Sequence, residues 1–118
     1  MPFAARQGKR SIMSEASLGW QKALKRLEGA YAAATIKSYE VDIAIFVGWC
    51  EERTLEPFPA PVETVCAFLE DQALDLRPLT VRRRLYAIRK IHRLLGLADP
   101  THDEEINLAL RRVRRAKP

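Results

Sequence analysis

The residues of this chain best suited to chemistry are arginines. Between positions 77 and 97 the sequence reads RPLTVRRRLYAIRKIHRLLGL. On a helix, at about 100° per residue, Arg82, Arg83, Tyr86, Arg89, Lys90 and Arg93 share an arc of roughly 120°, while Val81, Leu85, Ile88 and His92 point the other way. One side is built for a core, and the other offers five cations and a phenol. Guanidinium groups so placed can grip phosphates bidentately and, inside a major groove, reach base edges. The plain alternative is a solvated charged face. Against it stand the lack of any acid between positions 77 and 93 and the preponderance of Arg over Lys there.

Other chemistry is thin. The two histidines are His92, on the inward side of the basic segment and read as a satisfied core or rim histidine, and His102, at a helix start. No His-x-x-His, Cys-x-x-Cys or HExxH spacing occurs, so neither a metal site nor a cofactor is expected. The five glycines stand singly, without a phosphate-cradling loop. Asp103, Glu104 and Glu105 crowd a helix N-terminus, where the helix dipole already accounts for them. Nothing here argues for an active site, and the chain is not expected to be an enzyme by itself.

The elements that must carry these residues read as helices throughout. With 118 residues, 47% hydrophobic and 30% charged, the chain is large enough for one domain with its own core. A basic arm is expected at 1–13 and a helical domain over 14–118. Period-two alternation and Asn-Gly or Asp-Gly hairpin signals are missing. A first amphipathic helix is predicted over 14–31, with Trp20, Leu24, Leu27 and Tyr31 inward and Gly29 marking its exit.

A second helix over 33–53 shows two apolar faces: Ile36, Tyr39, Ile43, Phe46, Val47 and Cys50 on one, Val41, Ile45 and Trp49 on the other. Its first turn carries Thr35, Lys37 and Ser38. From these residues alone an ordinary capped terminus is the simpler reading, and a phosphate seat at the helix N-terminus is the alternative. The prolines at 57, 59 and 61 break the chain before a third helix over 62–74. Pro78 opens the basic helix and Gly96 closes it. Thr101 followed by Glu104 has the form of a capping box for a last helix ending near Ala116, whose apolar stripe is Ile106, Leu110 and Val113. The fold class is therefore all-α, a compact bundle of four to five helices.

Charge and cysteines fit an intracellular polyanion binder. The net charge is +5, concentrated in two stretches: seven Lys/Arg and no acid over 77–93, and five Lys/Arg and no acid over 111–117. Cys50 and Cys66 lie inside apolar patterns and are expected as reduced thiols. No stretch approaches the ~20 apolar residues of a membrane span, and the opening MPFAARQGKR lacks the apolar core of a secretion signal.

Four passages, in order, resemble the N-terminal, SAM-like core-binding domain of the tyrosine recombinase or phage integrase family. Thr35-Ile36-Lys37-Ser38-Tyr39 leading into Phe46-Val47-Gly48-Trp49-Cys50 is similar to the family's T-x-x-x-Y…F-x-x-W-C helix. Pro59-Ala60-Pro61-Val62-Glu63-Thr64-Val65, then Phe68-Leu69, resembles its P-A-x-x-x-x-V-x-x-Y-L. Leu79-Thr80-Val81-Arg82-Arg83-Arg84-Leu85-Tyr86-Ala87-Ile88-Arg89 resembles T-I-x-x-x-L-x-A-I-R. Leu95-Gly96-Leu97-Ala98-Asp99-Pro100-Thr101 with Leu110-Arg111-Arg112-Val113-Arg114-Arg115 supplies the fourth. The likeness runs from about Tyr31 to Pro118.

The resemblance implies a helical half-clamp on double-stranded DNA, with Thr35, Lys37 and Ser38 in one major groove and Thr80, Arg82, Arg83 and Lys90 in the next. Tyr86 and Arg89 share that second face, and Arg111, Arg114 and Arg115 would hold phosphates. It also implies self-association in a synapse through the first helix, with Trp20 and Leu24, although the same residues can simply close their own bundle. A prokaryotic cytoplasm or nucleoid follows as the location. The family's catalytic Arg, Lys, His-x-x-Arg and Tyr belong to a second domain, and Tyr31, Tyr39 and Tyr86 do not stand for its nucleophile. Two other classes fit the basic face: a helical protein–protein module with an acidic partner, and a stand-alone helical DNA-binding regulator.

Overall fold

The computed structural model describes residues 14–116; the basic arm expected at 1–13 and the last two residues of the chain lie outside the described residues. Regular structure among the described residues is helical, as the sequence predicts. The order is α1 (Glu15–Leu18), α2 (Trp20–Leu24), a 3-10 turn (Lys25–Leu27), α3 (Ala33–Glu52), α4 (Val62–Gln72), α5 (Pro78–Leu94), a second 3-10 turn (Pro100–His102) and α6 (Glu104–Ala116). Helix α3 packs on α5, α4 packs on α6, and α2 closes the bundle against α3 and α5.

The central layer is aromatic. Phe46 of α3 meets Phe58 and Phe68 edge to face, with centroids 5.9 and 5.0 Å apart, and Trp49 meets Phe68 at 5.4 Å. Ile43, Phe46 and Cys50 of α3, Val65, Phe68 and Leu69 of α4, Val81, Leu85, Ile88 and Ile91 of α5, and Ile106 of α6 are all removed from solvent. Phe58 belongs to the proline loop, whose Phe58–Pro59 peptide is cis. The loop was legible as a chain break but not as a core element, because it carries no periodicity to read. Across it, Ser17 Oγ accepts from the Phe58 N–H (3.0 Å), and Ser14 Oγ donates to the Phe58 carbonyl (3.0 Å). Glu56 accepts from the Ser14 N–H at 2.9 Å and from the Ser17 hydroxyl. Burial alone would raise the Glu56 pKa, but these bonds outweigh it and hold the carboxyl below its usual range.

Several expectations are corrected. The first segment is not one helix over 14–31: Gly19 interrupts it, a 3-10 turn ends it at Leu27, and Gly29 turns the chain with φ +84°. Tyr31 is therefore free of that helix and partly exposed (38%) rather than inward. Trp20, Leu24 and Leu27, by contrast, are buried as expected. Val41, expected on an apolar face of α3, is 45% exposed, and Ile45 is half-buried. The second face of α3 is thus narrower than its residue types indicate.

The capping box at Thr101 does not form. Asp103 starts α6 instead, its carboxylate accepting the Glu105 N–H at 2.9 Å. Thr101 is buried, its hydroxyl donating to Asp99 Oδ1 at 2.6 Å. Helix α5 opens at Pro78 and closes through Gly96 (φ +70°), with Leu97 N–H bonded to the His92 carbonyl and Gly96 N–H to the Arg93 carbonyl, a Schellman arrangement.

Candidate functional site

Helix α5 sorts its residues as the 100° wheel requires. Val81, Leu85, Ile88 and His92 are buried, while Arg82, Arg83, Tyr86 and Arg93 are exposed and Arg89 and Lys90 are half-buried. His92 is a core histidine: its Nε2 accepts from the Ala60 N–H at 3.0 Å, which leaves Nδ1 to donate to the Ile88 carbonyl at 2.8 Å. Burial lowers its pKa despite that second bond, so the ring is neutral near pH 7.

The exposed face is braced rather than loose. Arg82 Nε donates to the Tyr86 hydroxyl at 2.6 Å, and the Arg82 and Arg89 guanidiniums lie 5.4 and 5.1 Å from the Tyr86 ring centroid. Arg89 Nε also donates to the Thr101 hydroxyl at 2.9 Å. Lys90 Nζ donates to the Tyr31 hydroxyl at 2.6 Å and sits 4.8 Å from that ring. Arg83 makes a two-point contact with Asp42 of α3, Nε to Oδ2 and Nη2 to Oδ1, both 2.9 Å. That carboxylate, acting first through these bonds, raises the Arg83 pKa further.

The first turn of α3 arrives beside this face. Ala32 begins the helix in an extended conformation with no side-chain cap, so the ordinary capped terminus is not what forms. Thr35 and Ser38 share a depression of about 340 Å³ with Ala34, Tyr39, Asp42, Arg83 and Tyr86. On the other side of Tyr86, a groove of about 520 Å³ runs between α5 and α6, lined by Arg82, Arg89, Arg111 and Arg114 over a floor that includes Leu85 and Val113.

The structure thus brings eight of the twelve sequence-predicted residues to two hollows that meet at Tyr86: Thr35, Ser38, Arg82, Arg83, Tyr86, Arg89, Arg111 and Arg114. The other four stand apart from the hollows. Lys37 is exposed and paired with Glu40 at 2.9 Å; Thr80 is half-buried in the first turn of α5; Lys90 is held by Tyr31; and Arg115 is exposed on α6. Sequence reasoning missed Asp42 and Tyr31. Asp42 follows Thr35 and Ser38 at helical spacing, so its place opposite the arginine face was open to inference. Tyr31 lay in a segment misread as helix.

Among the described residues, no group of His, Cys, Asp and Glu could hold a metal ion, and no helix is long and apolar enough to cross a membrane. Both cysteines are free, Cys50 buried with its thiol pushed up to about 12 and Cys66 half-buried and also raised, in each case first by burial.

Fold and face together define an all-helical domain with one arginine-rich side. The chain is 34% identical over 99 residues, 81% of its length, to an integrase/recombinase XerD homolog of Selenomonas ruminantium, of which it covers 29%. It is 32% identical over 69 residues, 58% of its length, to tyrosine recombinase XerD of Lacticaseibacillus casei, of which it covers 24%. The chain spans less than a third of either relative. No protein-family model matches it. Kinship with the tyrosine recombinases, read above from four motifs, is shown by these alignments.

Proposed function

We propose that this chain is the DNA-holding domain of a site-specific tyrosine recombinase or integrase, gripping duplex DNA without catalysing strand exchange itself. The observation that carries the reading is the meeting of the uncapped first turn of α3 with the braced cationic face of α5 and the arginines of α6. Hydroxyls and guanidiniums converge there; of the acids nearby, Asp42 is engaged by Arg83 and Glu40 by Lys37, while Glu104, which lines the α5–α6 groove, accepts only from Asn107 at 3.2 Å among the described residues. Such a surface positions a phosphate backbone and offers a few side chains to base edges. Thr35, Ser38 and Arg83 serve one groove wall, and Arg82, Arg89, Arg111 and Arg114 the other, with Tyr86 between. Lys37, Thr80, Lys90 and Arg115 contribute at the margins.

The test is fluorescence anisotropy of a labelled duplex of about 30 base pairs between 50 and 200 mM salt. If about six cations reach phosphates, log K falls with log salt at a slope near −5. Replacing Arg82, Arg83 and Lys90 together by alanine should weaken binding at least tenfold at the lowest salt. Undiminished affinity in that variant removes this face from the interface. No binding by the wild-type chain at 50 mM salt moves the function to a protein partner.

A further inference from the structure

Among the described residues, Asp42 is the only carboxylic acid in the buried class, at 1% exposure. A carboxylate removed from water is costly unless it is paired and hydrogen-bonded. Arg83 supplies that pairing through Nε and Nη2, and Arg84 Nε stands 3.5 Å from Oδ1 as a second, more buried cation. The consequence for Arg83 is geometric. Of the five N–H donors on a guanidinium, Asp42 takes two in a fork, leaving three on the Nη1/Nη2 end. The Arg83 side chain is 52% exposed, and it lines the depression shared with Thr35, Ser38 and Tyr86. A free arginine loses much rotamer freedom when it binds, whereas this one has lost it on folding. The open end-on edge is the one that matches guanine O6 and N7 or a pair of phosphate oxygens.

We infer that Asp42 is a positioning residue: from beneath the surface it fixes the outer edge of Arg83 between the first turn of α3 and Tyr86, so that Arg83 supplies sequence discrimination rather than bulk attraction for DNA. The inference rests on the DNA reading above. It has a signature that a merely structural role lacks. The Asp42–Arg83 pair carries no net charge, so removing the carboxylate releases a cation to the phosphates while unlocking its direction. General affinity and discrimination then move in opposite senses.

The experiment takes the full chain, selects a duplex of about 30 base pairs from a randomised pool, and compares it with a scrambled duplex of equal composition. In Asp42→Asn, affinity for the scrambled duplex should rise, its salt slope should steepen by about one, and the selected-to-scrambled ratio should fall about tenfold. Arg83→Lys keeps the charge but not the fork, and should lower the same ratio. Because its side chain is half exposed, it decides the matter if Asp42→Asn fails to fold, as judged by circular dichroism. Ratios preserved in folded Asp42→Asn or in Arg83→Lys overturn this inference and leave the DNA reading intact. Equal loss on both duplexes in folded Asp42→Asn overturns it as well. No duplex binding by the wild-type chain overturns the DNA reading, and the role of Asp42 with it.

Discussion

At the scale of single residues, the cationic face and the core meet on one helix, and His92 shows how tightly the inner side is specified. The ring replaces water at two points, accepting a hydrogen bond from the Ala60 N–H of the proline loop and donating one to the Ile88 carbonyl. It also stacks edge to face on Phe58 at 5.0 Å. Only the neutral ring can accept from Ala60, so burial and this bond both oppose protonation, while the Ile88 bond and Asp99 favour it less strongly. Because the folded pKa lies below the ordinary ~6.5, the unfolded chain takes up a proton first as pH falls. The contribution is therefore full above about pH 6.5 and is lost as pH descends through the lowered folded value, at up to about 1.4 kcal/mol per pH unit. Thermal melts at pH 7.5, 6.5 and 5.5 should show a falling midpoint in the wild-type chain. His92→Gln should be less stable by about 1–3 kcal/mol at pH 7.5 and much flatter across that range. A wild-type midpoint that does not move would mean that the ring is already accessible to protons.

At the scale of elements, periodicity was most legible where a helix is long and two-sided. Helix α5 begins at Pro78 and sorts its faces as its sequence states, and α4 keeps its apolar stripe. The misreadings fall where other physics decides. The first segment breaks at Gly19, in a conformation open to any residue, and turns at Gly29, whose φ of +84° favours glycine, neither of which its apolar spacing reveals; Thr101 is drawn inward by Asp99 and Arg89 instead of capping a helix. The end of α3 is a further case. Leu55 N–H bonds to the Cys50 carbonyl and Thr54 N–H to the Glu51 carbonyl, the closure used at Gly96, yet the residue in the left-handed region is Thr54, with φ 59°. A β-branched side chain is strained there, and nothing in the residue types announces the turn. Thr54→Gly relieves the clash at the cost of a freer unfolded chain, and should stabilise by about 0.5–1 kcal/mol, raising the melting midpoint by several degrees. Thr54→Pro, which cannot adopt a positive φ, should destabilise. Chemical denaturation of the two variants checks both signs.

At the scale of the whole molecule, the bundle brings cations from two basic stretches of the sequence to a shared groove. The +5 net charge says only that polyanions are attracted; the fold decides which cations act together. Helix α6 packs on α4, with Ile106, Ala109 and Val113 buried, and this turns Arg111 and Arg114 into the groove beside Arg82 and Arg89. Arg112 faces elsewhere and pairs with Glu70 at 3.6 Å. The two ends of the chain's basic content, well separated in sequence, thus share a wall. A role in holding backbone phosphate makes a specific demand on them. Arg111→Ala and Arg114→Ala should each weaken selected and scrambled duplexes alike and reduce the salt slope by about 0.9, while Arg112→Ala should change the slope less. All three are exposed, so stability should shift by less than about 0.5 kcal/mol. Salt titrations of the three variants against both duplexes separate this from base reading. Loss confined to the selected duplex would make α6 a reader of sequence, and an unchanged slope would place the DNA on α3 and α5 alone.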